Sequence, residues 1–305
     1  MTRHWSWNLD SLAELAAVKF LAGSNAALSG ILVAHELIHR RHPLPRRLGR
    51  LLLILCGHDH FYVEHRRGHH RRVGLAKDPA TARPGESYAD FWRRSLRGQF
   101  RGAWQLECRR LRRKHLGWHH HRVLQGLAAE GALLGLVVWF YGAAGAVAVA
   151  LQAFMAMRNL EAINYIQHWG LSRRPGTPPD AHHAWHTDTW CSTCLVLGLS
   201  RHAHHHLAPA RPYTELQALP DSPRLPYGYF ALAFLIAYRN RRFQSLALAE
   251  LRRCGLRSDH RQTHDQIEDQ GHPGPQQGVG ELVADVFDGL HPGGEGGNHG
   301  GVGYR

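Results

Sequence analysis

Apolar and polar positions along this chain fall into long blocks instead of a fine alternation. Residues 12–34 (LAELAAVKFLAGSNAALSGILVA) are apolar apart from one Glu and one Lys near the start. Their length suits a helix that crosses a bilayer, which takes about 20 residues. Residues 48–57 (LGRLLLILCG) are apolar but too short to span alone. They are expected either to dip into the bilayer or to run on through the HDHFYV that follows. Residues 66–122 are polar and rich in arginine, with Pro79 and Pro84 marking a loop. Within them, ESYADFWRRSLRGQFRGAWQLECRRLRRKH reads as an amphipathic helix with aromatics and Leu on one side and Arg on the other, a type common at membrane surfaces. Residues 123–157 carry the strongest apolar signal, with Tyr141-Gly142 near the middle. The pattern predicts a hairpin there, its second arm running to about Trp169, in preference to one long helix. Residues 188–200 and 226–238 are weaker apolar segments. Past about residue 255 the chain turns to Gly, His, Gln, Asp and Pro, too polar to bury a core, and is expected to be disordered. No internal repeat is evident.

Composition changes this picture only where it is read locally. The chain has 305 residues, of which 44% are hydrophobic. Its mean hydropathy of −0.37 would argue against a membrane, but that average cancels apolar blocks against Arg- and His-rich runs. The formal charge is +13. A nucleic-acid partner is set aside because no DNA- or RNA-binding motif is present. Basic residues between apolar segments instead fit the bias of cytoplasmic loops toward Lys and Arg. Five cysteines at scattered positions give no disulfide framework. Cys191 and Cys194 form an isolated CxxC, read as two small residues on a buried helix in preference to redox or zinc chemistry. No cleavable signal peptide is evident at the N-terminus.

The chemistry lies in the 26 histidines. His35-Glu-Leu-Ile-His39 closes the first apolar segment, and residues four apart share a helix face. His65-Arg-Arg-Gly-His69-His70 gives HxxxHH, and His202-Ala-His-His205-His206 gives HxxHH. His168 stands alone in NYIQHWG. The first string by itself also matches the zinc hydrolase HExxH, with Glu36 as general base. Eight or nine imidazoles next to apolar segments are too many for a single ion and suit two. Neutral imidazole is a good ligand for iron, and a two-iron centre can split dioxygen.

HxxxH, HxxxHH and HxxHH, in this order and separated by apolar segments, resemble the membrane fatty-acid desaturase and hydroxylase superfamily. Longer strings resemble the alkane 1-monooxygenase family within it: HELIHRRHPLPRRLGRLLL, EHRRGHHRRVGLAKDPATARPGESYADFW, NYIQHWGL and LSRHAHHHLAPARPYTELQALPDSPRLPYGY. The similarity runs from about residue 25 to 240. It implies an all-α, integral-membrane helical bundle over residues 1–254, followed by a tail over 255–305. It implies a bacterial inner-membrane, multi-pass protein with a histidine-rich diiron site facing the cytoplasm. Two Fe ions would be held by His35, His39, His65, His69, His70, His168, His202, His205 and His206. His42, His58 and His60 match no ligand position, and His204 stands where the family usually has an acidic residue. Glu36, Glu64, Asp78 and Glu161 are candidates to accept the outer N–H of a bound imidazole.

The resemblance further implies hydroxylation of a terminal methyl group of an alkane or alkyl substrate with O2. Electrons would come from rubredoxin and its NAD(P)H-dependent reductase, since the chain shows no flavin, haem or Fe–S motif. Rubredoxins are typically acidic, which suits the Arg-rich face around residues 40–114. The family has six transmembrane helices, about three of them before or leading into the first box, so the chain reads as N-terminally short. The alternatives are a related lipid desaturase, an alkyl-aromatic methyl hydroxylase, a metal-binding relative without turnover, and a one-zinc hydrolase.

Overall fold

A computed structural model of the chain describes residues 20–256, together with Glu14 and Ala17. The chain divides into Met1–His260 and Arg261–Arg305, and every described residue belongs to the first. The tail expected from residue 255 lies outside the described residues beyond Leu256. Among the described residues there is no strand, only an isolated bridge between His186 and Arg224.

The first apolar segment forms helix α1, Phe20–Ile38, with a π-helical stretch at Ala26–Ile31. Helix α2, Pro43–Leu55, starts where His42 Nδ1 accepts from the Leu44 N–H and Pro43 supplies a preset φ. Gly57 (φ +67°) then turns the chain, so the short apolar run does not continue through residues 58–63. Helix α3 is composite: Phe61–Glu64 is α-helical, His65–His69 is π-helical and His70–Arg72 is α-helical again. Helix α4, Tyr88–Lys114, is capped by Ser87, whose Oγ accepts from the Asp90 N–H at 3.2 Å. The amphipathic expectation holds for its extent but not for its buried face. Ser95, Gln99, Glu107 and Arg110 are buried while Phe100 is exposed, because this face meets polar partners.

Helix α5, Arg122–His168, is broken at Gly142 (φ +64°, ψ −159°). Two contacts show that the break is a reversal. The Asp59 N–H donates to Glu130 on the first arm, while Gly57, two residues away, stands against Ala153 on the second. Residues 130 and 153 would lie about 35 Å apart on a straight helix, at roughly 1.5 Å per residue. The predicted hairpin is therefore what forms. Among the described residues, α1 and α5 are the two helices long and apolar enough to cross a membrane. Leu127, Leu134, Leu136, Trp139, Phe140 and Val147 of α5 are all exposed, an apolar surface of the kind lipid covers.

The weaker apolar segments give short helices α6, Trp190–Leu195, and α8, Tyr229–Tyr238, with α7, His202–Leu207, between them and α9, Asn240–Arg253, after them. Cys191 and Cys194 of α6 are exposed and not buried as expected, because this one short helix leaves their side outside. A core of Phe91, Tyr165, Trp169, Trp185, Leu232, Phe243 and Leu251 ties α4, the end of α5, α8 and α9 together. The Tyr165 hydroxyl donates to the Glu86 carbonyl at 2.7 Å, and the Trp185 indole to the Trp169 carbonyl at 2.9 Å. A second core of Ile31, Ala34, Ile38, Leu53, Phe61 and Ala156 clamps α1 and α2 to the second arm of α5.

The Gly142 conformation belongs to glycine alone and strains any other residue by about 1–3 kcal/mol. Gly142→Ala should lower stability by that amount in SDS titration of micelle-bound protein. Gly131→Ala, in open space within the same helix, should be neutral or stabilising by up to about 1 kcal/mol.

Candidate metal centre

Each histidine box is carried on a helix whose local geometry decides where its rings point. In α1, His35 and His39 stand four apart on one face. In α7, at roughly 100° per residue, His205 and His206 lie within about 60° of His202 on either side of it, about 100° from each other, and His204 faces the other way. The His204 Nδ1 accordingly accepts from the Gln217 N–H at 2.7 Å instead of joining its neighbours.

Helix α3 solves a harder problem. On an α-helix His65 and His70, five apart, would diverge by about 140°. The π-turn closes a bond from the His70 N–H to the His65 carbonyl, and the two rings come together with Nε2 atoms 3.0 Å apart. Such π-turns recur at functional sites. His69 is then free to face the other way.

The result is two adjoining groups: His35, His39, His65, His70 and His205, and His69, His168, His202 and His206. Within each group the ligand nitrogens lie within 4.8 Å of one another. All nine residues expected from the sequence are brought together, and consecutive residues 69/70 and 205/206 are divided between the groups. The groups abut, with the His70 and His206 rings 4.6 Å apart and those of His69 and His206 4.9 Å apart.

The nitrogens are spaced as donors around a common ion would be. Nε2–Nε2 separations are 3.2 Å for His70–His205, 3.1 Å for His168–His202 and 3.0 Å for His202–His206. Two nitrogens each about 2.1 Å from a metal, at roughly a right angle, stand about 3 Å apart. The Nε2 atoms of His35, His39 and His69 are buried with no hydrogen-bond partner. Buried polar atoms are rarely left so, and the donor set fits metal.

Burial pushes His39, His65, His70, His202, His205 and His206 well below the ordinary imidazole value, so they present lone pairs at neutral pH. His69 differs. Burial opposes its charge, but the Asp78 carboxylate 2.9 Å from Nδ1 overrides that and holds the ring above its ordinary value. Asp78 is itself oriented by the Thr81 hydroxyl at 2.7 Å.

The other candidate carboxylates behave differently. Glu64 pairs with Arg72 and accepts from the His69 N–H at 3.3 Å, and burial pushes it up to about 7. Glu161 does not hold an imidazole: it accepts from Gln99 at 2.7 Å and Asn164 at 3.2 Å. His168 instead turns its Nδ1 to the His183 carbonyl, 3.3 Å away, a partner that no sequence spacing announced. Glu36 pairs with Arg40 and accepts from the Tyr213 N–H, so it faces away from His35 and His39. That removes the general base a zinc hydrolase would need. His58 is buried and His60 half-buried, and neither belongs to either group.

The described residues form an all-α protein whose two imidazole groups could hold metal. The chain belongs to the fatty acid desaturase family, which it matches over residues 12–235. It is 38% identical over 241 residues to alkane 1-monooxygenase 1 of Pseudomonas aeruginosa, covering 76% of this chain and 62% of that protein. It is 34% identical over 226 residues to alkane 1-monooxygenase of Acinetobacter baylyi, covering 70% and 55%. A xylene/toluene monooxygenase hydroxylase component of Pseudomonas putida is 31% identical over 208 residues, covering 67% and 56%. The chain thus spans about half to two thirds of the length of these relatives.

Two outcomes follow. Asp78→Asn should lower metal affinity about 10- to 100-fold in chelator competition, as losing the acceptor of a ligand's outer N–H generally does. In chelator-treated protein, imidazoles held below 6.5 contribute fully above that pH and progressively less below it. The thermal midpoint should therefore fall between pH 6.5 and 5, each such ring contributing at most about 1.4 kcal/mol per pH unit.

Proposed function

We propose that the chain is a membrane-embedded, non-haem diiron monooxygenase that converts the terminal methyl of an alkane to a primary alcohol. The observation that carries this reading is the sorting of nine imidazoles into adjoining groups of five and four. His35, His39, His65, His70 and His205 would hold one iron, and His69, His168, His202 and His206 the other. The balance is R–CH3 + O2 + 2 electrons + 2 protons → R–CH2OH + H2O. A bound iron pair supplies the redox chemistry for oxygen activation.

The protein's own residues bind and orient. Asp78 fixes the tautomer of His69 by accepting its Nδ1–H, and the His183 carbonyl does the same for His168. Neither group contains a carboxylate, so two cations there would be held by neutral nitrogens alone. The buried carboxylates Glu64 and Asp78, one layer out, offset that charge. The apolar cores beside α1 and α5 keep water from the imidazoles. The exposed apolar faces of α1 and α5 support a bilayer setting, with the inner membrane and a cytoplasm-facing site as the family reading. Electrons come from rubredoxin and its NAD(P)H-dependent reductase, and arginines around residues 40–114 would speed encounter with an acidic donor.

The similarity to the xylene/toluene enzyme component favours a second reading, hydroxylation of a methyl group on an aromatic ring. Product analysis with octane and xylene in parallel separates the two.

Detergent-purified protein should carry two irons per chain. His205→Ala should empty the first group and His168→Ala the second, each leaving about one iron by metal analysis. One zinc per chain, untouched by either change, would sink the proposal. Supplied with rubredoxin, reductase and NADH, the intact protein should form 1-octanol, and each variant should lose at least about 100-fold in rate.

A further inference from the structure

Behind the face of α3 that carries the imidazoles lies a second concentration of like groups. Arg46, Arg47 and Arg50 of α2, Arg66 and Arg67 of α3 and Arg122 at the start of α5 line an open cavity of about 370 Å³. Tyr62 forms part of its wall, with the Arg66 guanidinium 5.1 Å and that of Arg50 5.6 Å from its ring centroid. Two carboxylates answer these six cations. Asp59 pairs with Arg50 at 2.9 Å. Glu107 is shared by Arg67 at 3.1 Å and Arg122 at 3.8 Å, and is also taken by Arg110 at 2.7 Å. Arg46, Arg47 and Arg66 have no carboxylate partner among the described residues. Six positive charges against two negative leave the cavity a surplus of four. Guanidinium forks converging on one space match phosphate oxygens.

The surroundings say where such a phosphate comes from. Helix α2 presents Leu44, Leu48, Leu51 and Leu55 to the outside, at 56%, 47%, 51% and 44% exposure. These positions repeat at four, three and four residues and form one stripe along the helix. At roughly 100° per residue, Arg47 borders one side of that stripe and Arg50 and Arg46 follow it round the helix, while the buried Gly49 and Leu53 face the protein. An exposed leucine stripe bordered by arginines is the pattern of a helix lying in a membrane interface. Arg122 begins the hairpin arm whose Leu127, Leu134 and Leu136 are exposed. The cavity therefore sits at the border between apolar and polar surface.

We propose that this six-arginine cavity is a binding site for the phosphate of an anionic phospholipid, with the leucine stripe of α2 against its acyl chains. The site is distinct from the imidazole groups and is built on the outward side of the same helix. The inference rests on the membrane setting proposed above and not on the hydroxylase chemistry, so its readout is lipid binding, not turnover.

The test uses the full chain in a zwitterionic detergent, with native mass spectrometry and thermal unfolding. Phosphatidylglycerol, phosphatidylcholine and inorganic phosphate are added separately. Phosphatidylglycerol should bind at least about tenfold tighter than phosphatidylcholine and raise the unfolding midpoint. The double variant Arg46→Gln/Arg47→Gln should lose that preference, and it strands no carboxylate. The matched variant Arg97→Gln/Arg101→Gln, which removes two exposed arginines of α4, should keep it. Equal binding of both lipids, equal loss in both variants, or equal stabilisation by inorganic phosphate alone would each overturn the assignment. It also falls if the cavity variant keeps its lipid preference but loses salt-sensitive binding of an acidic redox protein, which would make the cavity a protein dock. A chain that fails to partition into membranes at all would instead defeat the membrane setting, a separate result.

Discussion

The constraint on which the rest depends is the burial of imidazole lone pairs that the protein itself cannot satisfy. A buried polar atom without a partner costs on the order of 1–3 kcal/mol, and this site gathers many of them. Neither group contains an acid, and the closest neighbours of most ring nitrogens are other ring nitrogens. Except at His69, where Asp78 favours the charged ring, such an arrangement repels protons, because each charge would sit beside another in an apolar setting. It is stable only as a set of neutral donors aimed at something positive. The flanking cores, the short helix α7 and the segment from residue 181 to 201 all serve to hold those donors inward.

Around this nest, the supporting polar groups are arranged in a second ring. Asp78 and the His183 carbonyl fix two rings from behind, while Glu64 and Arg72 brace the backbone between them. The buried Ser95, Gln99, Glu161 and Asn164 form a separate polar knot between α4 and α5. That knot explains why α4 buries hydrophilic side chains and leaves Phe100 outside. The hairpin of α5 brings His168 to the nest from the far end of a long excursion, so the turn at Gly142 helps to place an imidazole 26 residues away.

Much of this was legible in the chain. The boxes at residues 35–39, 65–70 and 202–206 announce their shared chemistry, because i, i+3 and i+4 spacings on a helix translate directly into a common face. The hairpin was legible because the apolar run is too long for one crossing and carries a glycine at its centre. What the spacing could not show is which ring belongs to which group. That depends on the π-turn at His65–His69, a backbone choice with no residue-type signature. Nor could it show that Glu161 serves Gln99 and Asn164, since two helical turns from His168 is a statement about one helix and not about its neighbours. The partner of His168 is a main-chain oxygen, which carries no side-chain signal. His58 and His60 stand outside both groups, and sequence cannot separate them from the other histidines by identity alone.

The π-turn has a consequence for how this centre tolerates change. Within α3 a single hydrogen-bond step of five residues instead of four sends His69 to one side and His70 to the other. Loss of one residue between them and His65 would restore the ordinary helical step and swing the downstream rings by about 100°. Both imidazole groups would then lose a wall together. Variation by insertion or deletion is therefore shut out of this stretch, while the loops that join the helices remain open to it.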